Sequence, residues 1–186
     1  MSAPPIVIIA EPDPLISSVL RVEFTMCGFA VLLAASGQEA EEYASQAVAR
    51  LIVLDTRLHL GAYDACARIR RQPGYGRRPI VLTSHEVSST VQKVADTVGA
   101  TVLLAKPYSV DDLFEAVTPF LPVDDPLLTH RARSSGVSER HTWTPLCPPP
   151  ARSGDDSALT RNGRLLPIVR SAGKSIPMYV RRPGGT

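Results

Sequence analysis

Short apolar runs and helical stripes alternate along the first two thirds of the chain. Strands are predicted over 5–10, 29–34, 51–55, 79–83 and 101–105. The run from Leu51 to Leu54 shows no apolar–polar alternation, so it reads as a strand buried on both faces, as in a parallel sheet. Helical spacing follows each strand. Asp13 and Pro14 open the first helix as cap and first position, Leu15, Ile16, Val19, Leu20 and Phe24 carry its apolar stripe, and Gly28 closes it. Ser36 caps a helix to about residue 47, and further helices are predicted over 63–71, 86–98 and 110–121, the last capped by Ser109. Pro119 should fray that last helix, and Pro122 marks the latest point at which it can stop. Five strands alternating with five helices by short loops predict one α/β domain over residues 1–121, with a parallel sheet, helices on both faces and right-handed crossovers.

The periodicity fails from Val123 onward. Pro148, Pro149 and Pro150 are consecutive, and Ser, Arg and Gly are frequent, so residues 122–186 are expected to form a mostly disordered tail. Two apolar clusters near its end, over 165–169 and 176–180, predict a marginal hairpin or short peptides that dock on a partner. Each cluster contains a proline, which weakens its claim to be a strand.

The ends of the strands carry the reactive side chains. Glu11 and Asp13 follow the first, Asp55 ends the third, Thr83 and Ser84 close the fourth, and Lys106 follows the fifth. Ligands collect at the carboxyl ends of strands in open α/β sheets, so these ends would converge on one acidic pocket with a lysine and a hydroxyl. His59 and His85 share no ligand spacing and read as exposed loop residues. The run Arg68, Ile69, Arg70 and Arg71 reads as a solvated helix end, favoured there by the macrodipole.

Charge divides the chain. Residues 1–121 carry 10 Lys and Arg against 13 Asp and Glu, and residues 122–186 carry 10 against 5, so net charges of −3 and +5 make up the overall +2. The tail arginines have no predicted fold to present them to DNA, so nucleic acid is not an expected partner. Cys27, Cys66 and Cys147 are odd in number and widely spaced, which argues against a disulfide framework or a zinc site. The first apolar run is too short for a signal peptide or a membrane span, and a cytoplasmic setting is expected.

With these residues in this order, the chain resembles the receiver domain of bacterial two-component response regulators, over roughly residues 5–121. The resemblance rests on Glu11 and Asp13 after strand one, Asp55 at the end of strand three, Thr83 at the end of strand four, and Lys106 with Pro107 after strand five. The local contexts around residues 8–16, 34–40 and 81–85 support it. It implies a five-stranded, doubly wound, flavodoxin-like fold. It also implies a signalling protein, not an enzyme, that accepts a phosphoryl group on Asp55 from a histidine kinase or phosphotransfer protein. A Mg²⁺ ion would be held by Glu11, Asp13, Asp55 and the backbone carbonyl of Arg57. Lys106 would pair with one phosphoryl oxygen and Thr83 would hydrogen-bond another, with a cis bond before Pro107. A downstream protein would bind through residues 84–121.

Two positions depart from the family pattern. Pro12 stands where receivers usually carry a second metal-binding acid, which weakens the expected Mg²⁺ site. Leu103 stands where many receivers have an aromatic that rotates on activation. Asp13 reads equally as a plain helix cap, and Ser84 rivals Thr83. Two other functions compete: a pseudo-receiver that binds proteins without phosphorylation, and a phosphatase of the haloacid dehalogenase type. The second would want an acid where Arg57 stands.

Overall fold

The computed structural model describes residues 3–59, 61–135, 169–171, 174–176 and 178–180. Five parallel strands, β1 (Ile6–Ala10), β2 (Ala30–Leu33), β3 (Leu51–Asp55), β4 (Ile80–Ser84) and β5 (Val102–Ala105), lie in the order β2-β1-β3-β4-β5. The chain order reverses between β1 and β3, and their carboxyl ends flank the crevice where α/β sheets place their sites.

Strand residues alternate between two cores. Ile8, Ala10, Ile52, Leu54, Ile80, Leu82 and Leu103 pack on one face, with Ala40 and Ala44 of α2 (Gly37–Gln46), Ala65, Cys66 and Ile69 of α3 (Ala62–Arg71), and Ala95 of α4 (Ser89–Thr97). Val7, Ile9, Leu51, Val53, Val81, Val102 and Leu104 pack on the other, with Leu20 and Phe24 of α1 (Pro14–Met26) and Leu113, Phe114 and Val117 of α5 (Val110–Val117). The two-residue period of a strand thus feeds both layers, and that is why β3 is apolar at four successive positions. Phe24 meets Phe29 and Phe114 edge to face, with centroids 5.7 and 5.2 Å apart, and ties α1 to α5.

Local chemistry sets most boundaries where the sequence places them. Ser36 and Ser109 cap α2 and α5, and Ser109 forms a reciprocal capping box with Asp112. Gly28 adopts a φ of 86° after α1, a conformation that suits glycine at a helix end. One start differs from expectation. α4 starts at Ser89, later than residue 86, because Ser88 accepts from the Val91 N–H and so caps it. α5 ends at Val117 and gives way to a 3-10 turn over Thr118–Phe120, in keeping with the fraying expected at Pro119.

Arg70 also departs from expectation. It is half-buried, and its Nε donates to the Gly99 carbonyl at 2.8 Å, its Nη1 to the Arg78 carbonyl at 2.8 Å, and its Nη2 to Thr101 Oγ1 at 3.0 Å. Tight loops leave carbonyls without main-chain donors, and one guanidinium supplies several in a fixed fork. Arg68 does face solvent, where it pairs with Glu41 at 2.5 Å.

The described structure continues past Leu121. Helix α6 (Pro126–Ser135) lies in the stretch expected to lack periodic structure. Its start is anchored: Leu127 is fully buried in the α1–α5 core, Asp125 Oδ1 accepts from the Leu127 N–H at 3.1 Å, and Asp125 Oδ2 lies 3.3 Å from Arg50 Nε. Two aliphatic residues in four, Leu127 and Leu128, are too few to register as a periodic stripe, yet they suffice to dock one turn.

Near the carboxyl end, β6 (Val169–Ser171) and β7 (Lys174–Ile176) form an antiparallel hairpin, and β8 (Met178–Val180) adds an antiparallel sixth strand beside β5. A short hairpin thus occurs at the edges of the two apolar clusters, whereas β8 pairs with the chain's own β5, where docking on a partner was the expectation; residues 165–168 lie outside the described residues. Most of the remaining tail, over which disorder was expected, lies outside the described residues.

Candidate functional site at the carboxyl ends of the strands

Four strands deliver their terminal side chains to one place. Asp55 is the last residue of β3 and pairs in register with Thr83 on β4, while Ala10 and Ala105 end the flanking strands just before Glu11 and Lys106. All four polar residues are buried: Glu11, Asp55, Thr83 and Lys106 are between 0 and 8% exposed. Charges this deep require partners, and they have them. Lys106 Nζ donates to Glu11 Oε2 at 2.5 Å and also to Asp55 Oδ2. The other Asp55 oxygen, Oδ1, accepts from the Arg57 N–H at 2.6 Å and lies 3.5 Å from the half-exposed Arg57 guanidinium. Burial pushes the Asp55 carboxyl upward, but the Lys106 ammonium, the Arg57 N–H and the two nearby positive charges outweigh it and hold the group below its ordinary range. Asp55 is therefore an anion at neutral pH.

The structure sorts the remaining candidates. Asp13 caps α1, its Oδ1 accepting from the Leu15 and Ile16 N–H groups at 2.9 and 3.2 Å, and its own N–H donates to Glu11 Oε1 at 3.2 Å. No three His, Cys, Asp or Glu side chains come together as a metal cluster among the described residues. Pro12 is exposed and brings no donor. Ser84 Oγ accepts from the Glu86 N–H at 3.2 Å and is used within its own loop, whereas Thr83 Oγ1 is buried with no hydrogen-bond partner among the described residues. Leu103 is fully buried in the core. The Lys106–Pro107 peptide is cis. His59 and His85 are exposed, as expected.

Two contributions were not anticipated. One is the Arg57 side chain, since sequence reasoning pointed only to its carbonyl. The other is Tyr108, whose hydroxyl is buried without a partner among the described residues. Burial, then the charge of Glu11 and, more weakly, that of Asp55 push its phenol upward, while the Thr83 hydroxyl pulls the other way. A tyrosine two residues past the strand-end lysine is the available signal, and the sequence reading assigns it no role.

Comparison with known proteins agrees with this fold. Residues 7–118 match the response regulator receiver domain. The DNA-binding dual master transcriptional regulator RpaA of Synechocystis is 27% identical over 120 residues, which are 63% of this chain and 49% of that protein, so the chain spans about half the length of this relative. Among solved structures, chemotaxis protein CheY4 of Vibrio cholerae is similar at 25% identity and a TM-score of 0.60, over 64% of this chain and all of that one. The receiver domain of the sensor histidine kinase PA1611 of Pseudomonas aeruginosa, solved with magnesium in its active-site cleft, gives 24% identity and a TM-score of 0.57, over 63% and 98% of the two chains. A Burkholderia pseudomallei response regulator with a phosphorylated aspartic acid and calcium gives 20% and 0.55, over 70% and 73%. At these last two identities the likeness concerns the fold alone. No helix among the described residues is long and apolar enough to cross a membrane.

Proposed function

Because the chain belongs to the response regulator receiver domain family, we propose that it is a phosphorylation switch whose acceptor is Asp55. The observation that carries this reading is the placement of Asp55: a buried, ionised carboxylate at the end of β3, paired with Lys106 and in register with Thr83. The donor is a histidine kinase or phosphotransfer protein. An Asp55 oxygen attacks phosphorus, the P–N bond of the phosphohistidine breaks, and the imidazole nitrogen leaves with the electron pair. The product on this chain is an acyl phosphate. A carboxylate is a weak nucleophile, so positioning and charge neutralisation do most of the catalysis.

The residues present suit Mg²⁺. Glu11, Asp55 and the Arg57 carbonyl are hard oxygen donors, and Mg²⁺ is commonly held by one or two carboxylates together with water and phosphate. When bound, it would neutralise charge on the phosphoryl oxygens. Asp13 belongs to this set only if it leaves its cap, so the donor set is thin. Lys106 holds Glu11 and Asp55 together in the unmodified protein and can follow the new charge as a mobile cation. Thr83 supplies a hydroxyl that is free to turn toward a phosphoryl oxygen. Output passes to a downstream protein through residues 84–121 in a cytoplasmic setting, as a signalling event and not as turnover of a substrate.

The test is intact mass after incubation with acetyl phosphate, with Mg²⁺ or with EDTA, beside Asp55→Asn. The expected result is a phosphate-sized gain that needs both Mg²⁺ and Asp55. No gain in a folded sample would overturn the reading in favour of a pseudo-receiver that binds partners without phosphorylation, the alternative that Pro12 and the capping role of Asp13 favour.

A further inference from the structure

Two hydroxyls at the site are buried and idle. Thr83 Oγ1 and the Tyr108 hydroxyl each have no hydrogen-bond partner among the described residues. A buried hydroxyl left unpaired is costly, so two together ask for an explanation. They neighbour one another. The Thr83 hydroxyl is close enough to act on the Tyr108 phenol, and the charges of Glu11 and Asp55 reach it too, so the tyrosine's polar end lies within the field of the same carboxylates that Lys106 holds. The backbone that carries Tyr108 is fixed. Lys106 N–H donates to the Ser84 carbonyl at 2.7 Å on one side, and on the other the Ser109 N–H donates to Asp112 Oδ2 at 2.8 Å while the Asp112 N–H donates to Ser109 Oγ at 3.2 Å.

We propose that Tyr108 is a positioning residue of the phosphoryl site: its hydroxyl donates to Thr83 Oγ1 while Thr83 donates its own proton to a phosphoryl oxygen on Asp55. The donors and acceptors balance. Thr83 has one proton to give and lone pairs to receive. The phosphoryl group takes that proton, and the lone pairs then face the Tyr108 proton. In the unmodified protein no phosphoryl oxygen is there to take the Thr83 proton, so the chain of donors is incomplete. Phosphorylation supplies the acceptor that starts the chain, and each bond polarises the next. The side-chain arrangement around Thr83 then depends on whether the phosphoryl group is present. A tyrosine that helped only to pack the core would not need its oxygen here, since Phe fills the same volume.

This inference rests on Asp55 being the acceptor, and the experiment separates the two. Binding of beryllofluoride with Mg²⁺, a phosphoryl analogue that sits on a carboxylate, is measured by titration calorimetry for wild type, Tyr108→Phe, Thr83→Val and the double variant. Tyr108→Phe should weaken binding by about fivefold to tenfold, roughly 1–1.4 kcal/mol. The double variant should bind no more weakly than Thr83→Val alone, because Tyr108 acts through Thr83. Thr83→Ser keeps the hydroxyl and should restore the dependence on Tyr108, which also covers the case in which Thr83→Val fails to fold. A 3-fluorotyrosine at position 108 should shift its fluorine resonance on analogue binding in wild type and not in Thr83→Val. Additive losses, or no effect of Tyr108→Phe, would overturn the role of Tyr108 while leaving Asp55 as acceptor. If wild type neither binds the analogue nor gains phosphate mass, the acceptor reading itself fails and this one with it.

Discussion

Lys106 Nζ and Glu11 Oε2 lie 2.5 Å apart, joining residues 95 positions distant in sequence, and the same ammonium holds Asp55. Two buried carboxylates are thus stabilised by one buried cation. Removing that cation leaves two like charges in a dry site. Lys106→Met should lower stability at neutral pH by about 3–5 kcal/mol. The pH dependence should change sign. In wild type, the folded Asp55 carboxyl sits below its ordinary value of 3.8, so its contribution is present above that pH and is lost as pH falls through the lower folded value. In Lys106→Met burial dominates instead, and stability should rise as pH falls into the carboxylate range. Urea unfolding across that range checks both directions.

Pro12 occupies a place at the site's rim without offering a donor. Pro12→Asp adds a hard anionic oxygen next to Glu11. The Mg²⁺ concentration for half-maximal phosphorylation by acetyl phosphate should fall by about tenfold, a gain of ~1.4 kcal/mol in metal binding. An unchanged Mg²⁺ requirement would mean that the two carboxylates and the Arg57 carbonyl already suffice.

Leu127 tests whether α6 is part of the folded unit. Its side chain is fully buried against the α1–α5 core. Leu127→Ala should cost about 2–5 kcal/mol in a denaturant titration, the range for a truncated core leucine. A loss below ~0.5 kcal/mol, typical of a surface change, would place α6 outside the cooperative unit.

Asp125 is buried beside Arg50, and burial outweighs the Leu127 N–H and the Arg50 charge, so its carboxyl is raised above 3.8. A raised acid favours the folded state when protonated. Wild-type stability should therefore decline relative to Asp125→Asn as pH rises from 3.8 through the folded value. Asn keeps the acceptor for the Leu127 N–H, so the comparison isolates the charge. Thermal unfolding of both proteins between acid and neutral pH measures it.

Strand β8 covers the β5 edge through the pairs Val102–Val180, Leu103–Tyr179 and Leu104–Met178. Ending the chain at residue 168 should open that edge. Amide exchange at residues 102–104 should accelerate, with β1 and β3 unchanged, as read by hydrogen exchange with mass spectrometry. Unaltered exchange would show that β8 protects nothing there.

How much of this was legible beforehand follows from the range of the forces involved. The five parallel strands and the residues at their ends were legible, because an apolar run, a capping serine and a strand-end acid are local features. Family resemblance then joined Glu11, Asp55, Thr83 and Lys106, which the structure brings together. The sequence leaves Asp13 open between two roles, and its acceptance from the Leu15 and Ile16 N–H groups shows it capping α1. Arg70 reads as a solvated charge in the sequence because no sequence pattern reveals carbonyls stranded in loops that are distant along the chain.

The order of apolar and polar residues alone determined that this chain builds a doubly wound parallel sheet with acids, a hydroxyl and a lysine at one end. Periodicity and strand termini are written residue by residue, and burial of apolar surface follows from them. Only the tertiary structure decided that Lys106 bridges both carboxylates, that Tyr108 and Thr83 bury their hydroxyls near one another, that Asp125 and Leu127 dock a further helix, and that β8 covers β5. Each of these is a pairing between segments far apart in the chain. Such a pairing depends on which buried groups are left unsatisfied once the core has closed, and no local pattern carries that information.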